Sequence, residues 1–419
     1  MRVLHLSTGD GGGGAYRAAF RLHSGLRRLS VDSKMLVLRR SSDDPNVSRI
    51  QWSSAPLARL RRGHRRRQIH RDFAAYQSTL PHGFEIYSDD RSEAGYDLVR
   101  QLPECDLINL HWVGGFLDHQ LFFNHLPPGV PLVWRLADMN PFTGGCHYDG
   151  GCGKFTANCG ACPILGSSKP NDLSRRIWKR KHDSLAKMPD DRMHIVGTSR
   201  WITTEAGRSS LLNRFKSTVI PNGLDTADFA PRDKQFARDT LSVPANAKVV
   251  LFVADSAAIH RKGFDYVAAA LASMATMPGL FLLSVGAGKP NVPNLPQLHL
   301  GRITNDRLLS VIYSAADVFV MPSLQESFGQ TITESMACGT PVVGFNTGGI
   351  PDMVRPGVTG ELAKVGDAVA LTHAISQLLD NPIRCRAMSE NCRRIAVEEY
   401  SLETQAQAYL RLYRSLLQR

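Results

Sequence analysis

Nowhere does the sequence run for about 18 uncharged apolar residues, so no stretch reads as a membrane-spanning helix. No cleavable leader pattern stands before the first apolar run, Val3–Leu6, and the expectation is a cytoplasmic protein. Acidic residues are in deficit, with 38 Asp and Glu against 50 Lys and Arg, a formal charge of +12. Much of that deficit is local. Residues 57–71, LARLRRGHRRRQIHR, hold seven arginines and no acid. No zinc-finger or RNA-binding signature accompanies the run, and aromatics do not alternate with it, so no nucleic-acid partner is expected. A solvated helix or loop is one reading. Attachment to anionic lipid headgroups is the other, each cation near such a surface gaining about 1 kcal/mol. It would make the protein peripheral on the inner face of the cytoplasmic membrane. No repeat of short period occurs.

What is present is alternation. Short apolar runs at Met35–Leu38, Leu107–Leu110, Leu132–Leu136, His194–Val196, Val249–Ala254, Leu280–Val285, Val318–Met321 and Val342–Phe345 are separated by helical stretches. Strands alternating with helices argue for parallel sheets in an α/β architecture. In the first helix Ala15, Ala18, Ala19, Leu22, Leu26 and Leu29 share one face. The series breaks at 221–231, where two prolines and an Asn-Gly pair suggest a linker. The expected organisation is two doubly wound, Rossmann-like domains, 1–220 and 232–399, facing each other across a cleft, with an amphipathic helix over 400–419 returning to the first. Ligands of such sheets bind beyond the carboxyl ends of the strands.

The richest segment follows the run Val318–Met321: PSLQESFGQTITESMACGTP, residues 322–341. Glu326 lies in the loop and Glu334 about one turn inside the next helix. That helix begins near Gln330, after Phe328 and Gly329, and its unpaired backbone N–H groups suit a diphosphate. Glu334 suits vicinal ribose hydroxyls and Glu326 the hydroxyls of a second sugar. A helix with acids near its start explains one Glu. It does not explain Gly329, Gly339, Pro341 and the Thr347–Gly349 loop arriving in this order.

Glu326 and Glu334 resemble the E-x7-E motif of retaining, two-domain glycosyltransferases, the family 4 type with the GT-B fold. The resemblance covers nearly the whole chain, through Ile220–Asp225, Phe229, Pro231, Gly339–Val343 and Gly348–Pro351. It implies that a nucleotide-diphosphate sugar is the donor and a hydroxyl of a glycan or lipid-linked molecule the acceptor. It also implies that Arg261 and Lys262, in His260–Gly263, neutralise the donor phosphates. Adjacent residues on a regular element point apart, which favours Lys262 over Arg261. Relatives often carry Gly-Arg where this chain has Ala254-Asp255. The loop with Arg302 matches one lying against the nucleobase. His111 matches a histidine near the transferred sugar, and Asp138 an acceptor-side acid. Charge on the leaving diphosphate is met by cations and a helix N-terminus, so no cofactor is expected for catalysis.

Residues 9–14, GDGGGG, satisfy G-x-G-x-x-G after the first apolar run. An NAD site wants an acid at the end of the second strand, where this chain has Arg39-Arg40. An NADP-dependent oxidoreductase with those arginines on the 2′-phosphate is therefore a rival. In the glycosyltransferase reading Gly12 and Gly13 let backbone approach the donor diphosphate or the acceptor. A non-catalytic sugar-nucleotide-binding protein and a hydrolysing sugar-nucleotide epimerase share the two-domain form; the E-x7-E pattern disfavours the epimerase.

Cysteine is concentrated. Cys146, Cys152, Cys159 and Cys162 fall in a cysteine-rich insert at 143–163, and Cys105, Cys338, Cys385 and Cys392 are scattered. Four thiols at this spacing in a cytosolic protein read first as a structural zinc site. Reduced thiols, a disulfide and an iron–sulfur cluster stay open. The insert resembles a Thr-Gly-Gly-Cys-His region of some bacterial exopolysaccharide transferases, which implies a part in shaping the acceptor pocket.

Overall fold

A computed structural model of the chain describes residues 1–80 and 87–418. These residues divide into two compact units, Met1–Pro221 with the segment from Gln405 onward, and Asn222–Thr404.

The first unit is built on a seven-stranded sheet of Arg2–Gly9 (β1), Asp32–Arg39 (β2), Val47–Arg49 (β3), Leu107–Leu110 (β4), Leu132–Leu136 (β5), Met193–Gly197 (β6) and Lys216–Val219 (β7), in the order β3-β2-β1-β4-β5-β6-β7. The second has six strands, Lys248–Ser256 (β8), Leu280–Ala287 (β9), Gln297–His299 (β10), Val318–Met321 (β11), Val342–Phe345 (β12) and Gly360–Ala363 (β13), in the order β10-β9-β8-β11-β12-β13. Every pairing is parallel.

Alternation along the strands explains why both faces are covered. In β8, Val249 and Leu251 enter one core cluster while Val250 and Phe252 enter another. In β1, Leu4 and Leu6 face one core and Val3 the opposite one. A strand buried on both faces must read as a continuous apolar run, and these do. Both sheets reverse their strand order once, at β1/β4 and at β8/β11. Loops leaving the carboxyl ends there are the ligand positions of a doubly wound sheet.

Segment 221–231 is packed rather than free, because Leu224 and Phe229 are fully buried in the core of the second unit. The last described helix, Leu402–Leu417, puts Ala406, Tyr409, Tyr413 and Leu416 against Val3, Leu22, Leu26 and Val133 of the first unit. The arginine-rich stretch is a helix, Pro56–Ala74, with no buried residue. Among the described residues no helix is long and apolar enough to cross a membrane.

Candidate functional site

In the second unit the loop after β8 meets the loop after β11. The basic pair sits in a single 3-10 turn, His260–Lys262. Lys262 Nζ donates to Glu326 Oε2 at 2.7 Å, and Arg261 Nη1 lies 3.5 Å from the same oxygen. Adjacent side chains point apart on a regular element, but this turn is too short to be one. Both cations therefore converge on one carboxylate oxygen, Lys262 the nearer. Arg261 also donates from Nη1 to the Gln325 carbonyl at 2.6 Å and accepts Leu324 N–H at its own carbonyl at 2.8 Å. Glu326 is held from behind as well. Its carbonyl accepts Gly349 N–H at 2.8 Å, and Thr347 Oγ1 donates to Leu324 O at 3.1 Å. Gly348 has a φ of +55°, and a Cβ there would stand 2.1 Å from the Glu326 carbonyl oxygen, so only glycine fits.

Gly329 caps the helix Gln330–Ala337 with no side-chain hydrogen bond, and no acid occupies its first turn. Its leading N–H groups and positive dipole end follow the loop whose Gln325 and Glu326 meet Arg261 and Lys262. Glu334 is buried one turn in, where its Oε2 accepts Tyr313 O–H at 3.3 Å. Two expected donor contacts are placed differently. The Phe328 ring is buried in the core beside Tyr400, so only its backbone faces the loop. Arg302 is an exposed side chain pairing with Asp255, in the last residues of β8, at 3.3 Å.

In the first unit the glycine loop follows β1. Gly12 has a φ of +86° and open space at its Cβ position, while Gly13 is extended and caps the helix Gly14–Arg28 without a side chain. Asp10, between Gly9 and Gly11, turns toward the end of β2. Its carboxylate accepts Ser41 N–H at 2.6 Å, Ser42 N–H at 2.9 Å and Ser42 O–H at 2.6 Å. Burial opposes its ionisation, but these donors outweigh it and its pKa falls. Arg40 is committed to the carbonyls of Ser42 and Asp44. An ionised carboxylate beside the end of the second strand repels a 2′-phosphate, which argues against the NADP rival.

His111 ends β4 fully buried. Its Nε2 meets His5 Nδ1 at 2.8 Å and Asn109 Nδ2 at 2.9 Å, and its Nδ1 has no hydrogen-bond partner among the described residues. Burial first, then the neighbouring His5 and Arg135, hold its pKa well below the usual range, so it is neutral at pH 7. Asp138, just past β5, is more heavily bonded. Its Oδ2 accepts Trp112 Nε1–H and His147 Nδ1–H, each at 2.7 Å, and its Oδ1 accepts Asn140 N–H at 2.9 Å. Burial raises its pKa, but His147 and the other donors lower it further, leaving a carboxylate.

The insert is tightly built. Lys181, fully buried, donates to the carbonyls of Asn140 and Thr143 at 2.5 and 3.1 Å. All four cysteines are free, and Cys159 Sγ accepts Gly144 N–H at 3.1 Å. Among the described residues no three Cys, His, Asp or Glu side chains are gathered as a ready metal-binding set, while Cys159, Cys162 and Cys152 all lie close enough to Cys146 to add to the rise that burial gives its thiol pKa. The structure adds three polar residues to these groups: Tyr313 on Glu334, and Ser88 and His147 around Asp138. His147 stood within the quoted Cys-His string; Ser88 had no signal at all.

Two Rossmann-like units with all-parallel sheets, each carrying polar loops at its switch point, define the GT-B fold. Solved glycosyltransferase structures share it over the whole chain. Sucrose-phosphate synthase from Thermosynechococcus elongatus aligns over 100% of both chains at a TM-score of 0.66 and 22% identity. HepE of Anabaena, in complex with UDP-glucose, aligns over 99% of this chain and 100% of its own at 0.68 and 18% identity. Residues 247–381, which include the basic turn and both glutamates, match the family model of glycosyl transferases group 1. The chain is 35% identical over 219 residues to the D-inositol 3-phosphate glycosyltransferase of Segniliparus rotundus, covering 48% of this chain and 47% of that one. It is 30% identical over 211 residues to the MMP alpha-(1->4)-mannosyltransferase of Mycolicibacterium hassiacum, covering 48% and 49%. The chain thus spans about half the length of the curated relatives it matches.

Proposed function

We propose that this protein is a retaining glycosyltransferase that moves a sugar from a nucleotide-diphosphate sugar to a hydroxyl of a glycan or lipid-linked acceptor in cell-surface glycan synthesis. The observation that carries the reading is the convergence of Arg261 and Lys262 on Glu326, next to the uncapped helix start at Gly329. A bound diphosphate takes over the two cations and the helix N–H groups. Glu326, released from them, turns its oxygens to hydroxyls of the transferred sugar, and Glu334 with Tyr313 receives the ribose. As the glycosidic bond to the diphosphate lengthens, negative charge grows on the phosphate, and those donors stabilise it. The phosphate oxygen then takes the acceptor proton as the new bond forms on the same face. His111, neutral and with Nδ1 unpaired among the described residues, offers a hydrogen bond to the transferred sugar.

Thermal shift against UDP-, GDP- and ADP-sugars, with NAD and NADP alongside, tests this. Stabilisation by one sugar nucleotide, lost in Glu334→Ala, is expected. Stabilisation by NADP alone, unchanged in that variant, would replace the reading with the oxidoreductase. The reading extends to an anionic membrane surface as the place of work. It is supported by the exposed side chains of Leu57, Arg59, Leu60, Arg61, Arg67 and Arg71 on a helix that buries nothing.

A further inference from the structure

Around Asp138 three side chains from distant parts of the chain form a linear relay. Ser88 Oγ meets His147 Nε2 at 2.8 Å, and His147 Nδ1 meets Asp138 Oδ2 at 2.7 Å. The carboxylate fixes the imidazole tautomer. With Nδ1–H donated to Asp138, Nε2 carries a lone pair and accepts the Ser88 hydroxyl proton. Trp112 locks the assembly twice, donating Nε1–H to the same carboxylate oxygen and stacking on His147 with ring centroids 5.2 Å apart. Ser88 is itself anchored through its N–H to the Gly145 carbonyl at 2.9 Å. All three residues are buried, so the relay is shielded from bulk water. Gly114 packs against Ser88, where a Cβ would come within 2.9 Å of Ser88 Oγ and 3.0 Å of the Trp112 ring, so only glycine fits beside the hydroxyl. Nucleophile, base and orienting carboxylate in this order are what activates a serine, whatever the fold.

We propose that Ser88, His147 and Asp138 form a reactive-serine centre that cleaves small carboxylic esters. Ser88 Oγ bonds to the ester carbonyl carbon as its proton passes to His147 Nε2, and the carbonyl electrons move onto oxygen. Collapse expels the alkoxide, which takes the proton from His147. Water then repeats the sequence on the acyl-serine, releasing the acid and restoring the hydroxyl. This activity is separate from sugar transfer, and its test uses no sugar nucleotide.

The native protein is treated with an alkyl fluorophosphonate, the adduct is mapped by peptide mass, and hydrolysis of p-nitrophenyl acetate is followed in parallel. One adduct is expected, on Ser88, present in the folded protein and absent after heat unfolding. Ser88→Ala should remove both adduct and turnover, and His147→Gln should slow both by roughly 100-fold or more. If Ser88→Ala does not fold, the adduct map of the native protein decides alone. No adduct, an adduct elsewhere, or a rate unchanged in His147→Gln would overturn the proposal and make the relay a structural tie between the Gly144–His147 turn and β5.

Discussion

Lys262 Nζ stands 2.7 Å from Glu326 Oε2, so the cation suited to a phosphate is neutralised by a carboxylate of the E-x7-E motif. Donor binding must exchange one partner for another. Lys262→Ala leaves Arg261 as the sole cation on Glu326 and should lower kcat/KM for the donor roughly 10- to 150-fold, the range for a lost charge-assisted hydrogen bond. Stability should fall as well, since Glu326 is buried and loses the Lys262 ammonium. An unchanged kcat/KM would remove Lys262 from the donor site.

Gly348→Ala places a methyl group against the Glu326 carbonyl in a left-handed backbone conformation. Gly357 has a φ of +75° but open space at its Cβ position, so Gly357→Ala isolates the conformational cost, roughly 1–2 kcal/mol. Gly348→Ala should exceed that cost in urea unfolding and also weaken donor binding, because Glu326 must shift. Equal effects of the two substitutions would mean that the loop yields without moving Glu326.

The first unit should lose stability in mild acid. His23, in contact with Ser33 Oγ, is pushed down to about 4, burial outweighing the attraction of Asp44. His5 and His111 are held low by burial and by neighbouring histidines. A folded-state pKa below the unfolded value of about 6.5 means the unfolded chain takes up protons first. Stability is thus fully present above that value and lost as pH falls toward 4, by roughly 3 kcal/mol for His23 alone. Urea midpoints between pH 7 and pH 4 should show the decline, and His23→Gln should flatten it.

Vesicle flotation separates two kinds of arginine on the helix Pro56–Ala74. Arg62, Arg65 and Arg66 pair with Asp97, Asp118 and Glu93, whereas Arg59, Arg67 and Arg71 are exposed. Binding to anionic vesicles should disappear in Arg59→Glu/Arg67→Glu/Arg71→Glu with the thermal midpoint retained, and should weaken with salt. Equal recovery on neutral and anionic vesicles would sink the membrane reading.

Anomeric configuration is the remaining test. A retaining transfer assisted by Arg261, Lys262 and a helix N-terminus should give product with the donor's anomeric configuration by NMR and should proceed in EDTA. An inverted product would reject the mechanism.

Much of this was legible from the chain because buried strands announce themselves. The runs at 107–110, 132–136, 318–321 and 342–345 coincide with β4, β5, β11 and β12. The strands β7 and β10 left no such trace, since their residues are exposed or only half buried at sheet edges. The glutamates could be found because motif spacing is local. Ser88 and His147 could not, being 59 residues apart and joined only by the fold. That the Phe328 ring fills the core was not legible either, because a local motif does not show which side chains turn inward.

The chain leaves the first unit at Pro221 and re-enters it at Gln405, and Leu224 and Leu402 hydrogen-bond where the outgoing and returning segments run side by side. Residues 222–404 are therefore a cassette spliced into a host whose last helix is made after it. During synthesis the host cannot close its core until the whole cassette has emerged, since Tyr409 and Tyr413 arrive last. The cassette suffers no such delay, because its two ends already meet at Leu224, Tyr400 and Leu402.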